Sequence, residues 1–80
     1  MTDYQNLMEQ WVIYDHPSDY PEHWVVRRWL IGAMRIEATD EVWLRKDLNG
    51  ARGVIALNFP NGYRLARMPE DDPTIVEVWT

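Results

Sequence analysis

Residues 11–31, WVIYDHPSDYPEHWVVRRWLI, constrain this chain more than any other stretch. Two runs of β-branched and aromatic residues flank a loop that holds both histidines and two of the five prolines. The chain must therefore form two extended segments joined by a stiff spacer. The first, residues 10–14, ends at Asp15-His16-Pro17, where the proline ring drives His16 out of the helical region. The second begins at Trp24. Alternation puts Trp24, Val26, Arg28 and Leu30 on one face and Val25, Arg27, Trp29 and Ile31 on the other. Each face carries apolar residues and one arginine. That pattern suits a central strand covered on both sides, with arginine stems on apolar neighbours and heads reaching water or a carboxylate. Trp11, Trp24 and Trp29 are then expected to fill much of the core.

The remaining segments supply partners for this pair. Gly32 permits a turn, and residues 33–37 alternate as a third strand. Thr39-Asp40 is expected as a turn before a fourth strand at 41–45, in which Val42 and Leu44 oppose Trp43 and Arg45. Asp47 has the position of a helix N-cap, followed by Leu48, Ala51, Val54 and Ile55 as an apolar stripe, so a helix is expected over about 47–57. Gly50 and Gly53 each weaken it by about 1 kcal/mol against alanine, so packing must hold it. NFPNG at 58–62 ends the helix, residues 63–66 form a short strand and 68–73 an acidic loop. A final strand spans 74–79, with Ile75, Glu77 and Trp79 on one face and Val76 and Val78 on the other. At the start, Thr2 and Gln5 have capping-box spacing and Tyr4, Leu7, Met8 and Trp11 form a stripe, which allows a short N-terminal helix. The alternative is a frayed lead into the strand. The order predicts an α+β fold: one domain over residues 1–80, a mostly antiparallel sheet of four or five strands, one helix on one face and the other face partly solvated.

Composition narrows the work such a fold can do. At 80 residues the core depends on large side chains, supplied by five tryptophans, four tyrosines and a phenylalanine. No cysteine is present, which excludes disulfides, thiolate metal sites and thiol nucleophiles. The start lacks a basic n-region and an apolar h-region, and no apolar run approaches the roughly 18 residues of a membrane span. A soluble protein of the bacterial cytoplasm, without membrane contact, is expected. The net charge of −5 is uneven: residues 1–40 hold seven acids against three arginines, residues 41–80 six against five. Such a chain repels a nucleic-acid duplex, so direct nucleic-acid binding is not expected and a neutral or basic protein partner is.

Asp15, His16, Asp19, Glu22 and His23 bring nitrogen and oxygen ligands within nine residues, but their spacing matches no closed metal site. The expected role is a solvated turn; a metal-dependent hydrolase is the third functional reading. Ser18 lies two residues from His16 without a nucleophile-elbow context, and neither GxGxxG nor GxxxxGK occurs. No enzyme activity and no cofactor are therefore expected. Arg27 and Arg28 beside Trp24 and Trp29 have the makings of a nucleic-acid platform, yet the overall charge favours core tryptophans and paired arginines. The acidic groups Asp40-Glu41 and Glu70-Asp71-Asp72, together with Asp19, Tyr20 and Glu22 of the proline loop, are the candidate partner-binding residues. Carboxylates on a rigid scaffold can imitate phosphates and occupy a basic groove.

IYDHPSDYPEHWVVRRW at 13–29, TDEV at 39–42, LxxAR at 48–52 and RMPEDDPTIVEVW at 67–79 together resemble a group of small proteins from bacteria and their phages. YDHPxDYP and a terminal DDPxIVEVW are the recurring blocks, and this resemblance carries over no functional residues. In size, acidity, absence of cysteine and lack of catalytic motifs the chain also resembles phage-borne inhibitors, anti-CRISPR proteins in particular. What that implies is a stoichiometric binder that blocks the DNA-gripping surface of a CRISPR effector such as Cascade. The competing reading is a small structural or regulatory domain that pairs with itself or a host protein through an exposed sheet edge, with residues 74–79 as that edge.

Overall fold

The computed structural model describes residues 8–66 and 72–80. Its elements are β1 (Met8–Asp15), β2 (Trp24–Gly32), β3 (Arg35–Arg45), α1 (Leu48–Asn58), β4 (Arg64–Leu65) and β5 (Ile75–Trp79). The strands form one antiparallel sheet in the order β3-β2-β1-β5-β4, with α1 packed on one face. This is the expected α+β architecture, and the 11–31 hairpin supplies its middle.

β1 runs longer than its β-branched centre because its ladder with β2 is unbroken from Met8↔Ile31 to Asp15↔Trp24. Met8 and Trp11 therefore belong to a strand and not to the N-terminal helix that their spacing allowed; residues 1–7 lie outside the described residues. Cross-strand partners share a face, so the register fixes which side chains meet α1. Trp11, Ile13 and Val26 are buried there against Ala51, Val54 and Ile55, with Trp24, Trp43, Leu48, Phe59 and Trp79 packed around them. Trp11 lies 5.0 Å from the Trp43 ring and stacks on Phe59 at 6.0 Å. Trp29 is absent from this cluster because its parity sends it to the opposite face.

α1 starts where Asp47 predicted. Asp47 is extended (φ −152°, ψ 171°) and its carboxylate accepts from Gly50 N–H at 2.7 Å. The expected stripe is the docked one, with Ala51, Val54 and Ile55 buried. At the far end, Phe59 N–H donates to Ile55 O at 2.7 Å and Asn58 Nδ2 to Val54 O at 2.8 Å. A Cβ at Gly62 would run into the Phe59 ring, which explains the glycine in this turn. Gly53 differs, since a Cβ there meets nothing within 4 Å. Gly53→Ala is therefore expected to stabilise the protein by about 0.5–1 kcal/mol, seen as a raised urea midpoint with an unchanged slope.

Three local expectations are corrected. Ala33 and Met34 form the turn between β2 and β3, so β3 begins at Arg35. Thr39-Asp40 is no turn: β3 passes through it as a bulge in which Thr39, Asp40 and Glu41 stand opposite the single Arg28. The Thr39 hydroxyl holds the bulge by donating to Arg28 O at 3.0 Å and accepting from Glu41 N–H at 3.2 Å. In β5, Ile13 pairs with Glu77 but Tyr14 with Ile75, so Val76 is the extra residue. Ile75 is thereby moved off the face of Glu77 and Trp79 and onto that of Tyr14 and Val78.

Candidate binding surface

The face opposite α1 has no covering element among the described residues. Val12 and Tyr14 from β1, Val25, Arg27 and Trp29 from β2, Ile36, Ala38 and Leu44 from β3, and Ile75 and Val78 from β5 share it. Val12 and Val25 are buried by their neighbours, whereas Met8, Ile36, Leu44 and Leu65 at the margins remain exposed, Ile36 at 68%. Two hollows cross this face and share Tyr14 and Trp29. The larger, about 530 Å³, is bounded by Pro17, Ser18, Asp19, Arg27, Ala38, Asp72 and Thr74; the smaller, about 220 Å³, by Gln10, Val12, Ile36, Ile75 and Val78.

The two ends differ in chemistry. At the larger hollow, Arg27 is paired with Asp19 and lies 5.9 Å over the Tyr20 ring. Asp72 accepts from Thr74 N–H at 2.8 Å and from the Thr74 hydroxyl at 2.7 Å, and these bonds hold its carboxyl below the usual carboxylate range. Tyr14 sits between the ends. Burial raises its phenol, the Trp29 indole and the Arg27 charge lower it, and Asp72 and Asp19 add to the rise. Trp29 Nε1 bears on that hydroxyl, yet among the described residues it is the buried side-chain polar atom that makes no hydrogen bond of ordinary geometry. On the other face Trp11 Nε1 donates to Glu9 at 3.2 Å and Trp79 Nε1 to Glu77 at 3.0 Å.

The proline loop is set by two successive turns, with Tyr20 N–H on Pro17 O and His23 N–H on Tyr20 O, and is closed by His16 N–H on His23 O at 3.1 Å. His16 meets that closure in the left-handed region (φ 49°), outside the right-handed helical region that the following proline disfavours. Its ring bonds Asp15 and meets the Trp24 ring edge-on. Among the described residues no three His, Asp or Glu side chains converge as a metal site would require.

The candidate acids separate in space. Asp19 and Asp72 meet at the larger hollow, with Tyr20 beneath Arg27. Glu41 serves instead as an anchor for Arg28, which donates to it at 2.8 Å and to Glu9 at 2.7 Å. Those bonds, Glu9's first, raise an already high guanidinium pKa. Asp40 is exposed in the β3 bulge and Glu22 exposed in the loop; Glu70 and Asp71 lie outside the described residues. The sequence alone missed Tyr14 and Trp29 as groove walls, although the parity of WVVRRWLI already separated Trp29 from Trp24.

The final strand is not a sheet edge, because β5 lies between β1 and β4. The edges are β4, two residues long, and β3, which carries Arg35, Glu37, Asp40, Glu41 and Arg45 and is broken by its bulge. Short, charged and bulged strands are the usual defences against edge pairing. No helix of the described residues is long and apolar enough to cross a membrane. No family model matches the chain, and neither a curated protein nor a solved structure matches it.

Proposed function

We propose that this chain is a non-enzymatic binding protein that docks a basic protein partner on the open sheet face and blocks that partner's surface. The observation that carries the reading is the uncovered Tyr14–Trp29 groove with Asp19 and Asp72 at one end, in a chain of net charge −5. An exposed apolar patch with a polar rim is the form a protein interface takes, and negative charge selects and speeds a basic partner. Imitation of phosphates by free carboxylates is the weaker mechanism. Glu9, Asp19, Glu37, Glu41 and Glu77 are already paired with arginines of the same chain.

The resemblance to phage inhibitors makes a CRISPR effector such as Cascade the first partner to test. Co-elution with the purified effector and loss of its DNA shift in a gel are expected, both weakening between 0.1 and 1 M salt as exposed charge is screened. Ile36→Lys, at an exposed position on the groove margin, is expected to weaken capture at least about tenfold without unfolding the protein. Absence of both co-elution and DNA release removes the effector as partner. Equal capture by Ile36→Lys removes the open face as the docking surface.

A further inference from the structure

Resting on that docking face, we infer that the two hollows form one track for an extended peptide segment of the partner, which places an apolar side chain at one end and a basic one at the other. The hollows adjoin at Tyr14 and Trp29, which line both, and are opposite in character. Val12, Ile36, Ile75 and Val78 offer only apolar surface. At the other end, among the described residues, Asp19 and Asp72 outnumber Arg27, whose charge Asp19 already answers, so the excess charge there is negative and selects lysine or arginine. Tyr14 and Trp29 are aromatic walls suited to a cation's stem and head. In an extended segment side chains two residues apart point the same way about 7 Å from one another, so one strand of peptide serves both hollows.

Trp29 supplies an independent sign of a ligand. Its indole N–H bears on the Tyr14 hydroxyl without making a hydrogen bond of ordinary geometry to any described residue, whereas the indoles of Trp11 and Trp79 are satisfied by carboxylates. A buried donor without an acceptor is destabilising, and a main-chain carbonyl of a bound segment relieves it once Tyr14 turns aside. Basic peptides fit this groove better than a small anion, which both aspartates repel.

The indole signals in a proton–nitrogen NMR spectrum test the inference directly, with the Trp29 signal assigned by its loss in Trp29→Phe. The probes are two pools of end-blocked hexapeptides, one with leucine and arginine two residues apart, the other with glutamate replacing arginine. The Trp29 indole is expected to shift with the arginine pool, and about fivefold more peptide is needed in Asp19→Asn/Asp72→Asn, whose other signals stay in place. No shift at millimolar peptide, or equal shifts with both pools, overturns the track. A shift of the Trp29 signal on diluting the protein alone assigns the face to a second copy and likewise overturns it. Capture of the effector through Ile36 with no peptide response overturns the track and leaves the docking face intact.

Discussion

Ile13→Ala is expected to cost about 2–5 kcal/mol of folding free energy. Ile13 is fully buried at the middle of β1, the sheet's central strand, opposite Val26 on one side and Glu77 on the other. It also lies in the cluster with Ala51, Val54 and Ile55, so it joins sheet to helix. Truncation leaves a cavity that α1 cannot fill without tilting off Trp11. At roughly 0.05–0.15 kcal/mol per residue the whole domain is worth on the order of 4–12 kcal/mol, so the variant is expected to populate its unfolded state measurably at room temperature. Urea denaturation followed by tryptophan fluorescence reads this out. Leu57→Ala, on the outer side of α1 at 85% exposure, is the control and should move stability by less than about 0.5 kcal/mol. Equal midpoints for the two variants would mean that α1 does not pack on β1 as described.

Much of the fold was legible because single residues carried it. Asp47 announced the helix, the Leu48–Ala51–Val54–Ile55 stripe gave its docked face, and alternation in WVVRRWLI gave both faces of β2. What failed were places where one residue too many enters a ladder. Nothing local distinguishes the Thr39-Asp40 of a turn from that of a bulge; the difference lies in Arg28 O across the strand, to which the Thr39 hydroxyl donates. Val76 is equally silent, yet its insertion re-aims Ile75 from one face to the other.

The candidate surface was legible only in part, for a related reason. Charge count located acids but not their partners, and ion pairs spanning eight to twenty-five residues in sequence remove Asp19, Glu9, Glu41 and Glu77 from the pool of free carboxylates. Asp19 and Asp72 meet across the sheet because β1 pairs with both β2 and β5. A groove walled by Tyr14 and Trp29 follows from strand order, which no short-range pattern encodes.

Arg52→Met is expected to destabilise the protein more than Glu77→Leu does, although Glu77 is the buried partner and Arg52 is 43% exposed. Glu77, 5% exposed, is the buried charged residue of the described core, and it accepts from Arg52 Nε at 2.8 Å and from Trp79 Nε1 at 3.0 Å, with Arg64 at 3.6 Å. Burial alone raises its carboxyl; the bonds from Arg52 and Trp79 and the charges of Arg52 and Arg64 outweigh it and hold the pKa below the usual glutamate value. Taking Arg52 away leaves a buried carboxylate short of a donor, at a cost of about 1–3 kcal/mol, whereas Glu77→Leu removes the need along with the charge. The pH dependence separates this from a packing effect. A carboxyl depressed in the folded state stabilises above its unfolded pKa, near about 4.3, and that stability is lost as pH falls through the folded value. In Arg52→Met the folded value rises toward or past the unfolded one, so less stability is lost on acidification. The gap between wild type and variant is therefore expected to be widest near pH 7 and to close as pH falls below the unfolded value and through the depressed folded one. A gap that stays constant from pH 7 to pH 3 would assign the loss to the arginine stem's packing and not to the charge of Glu77.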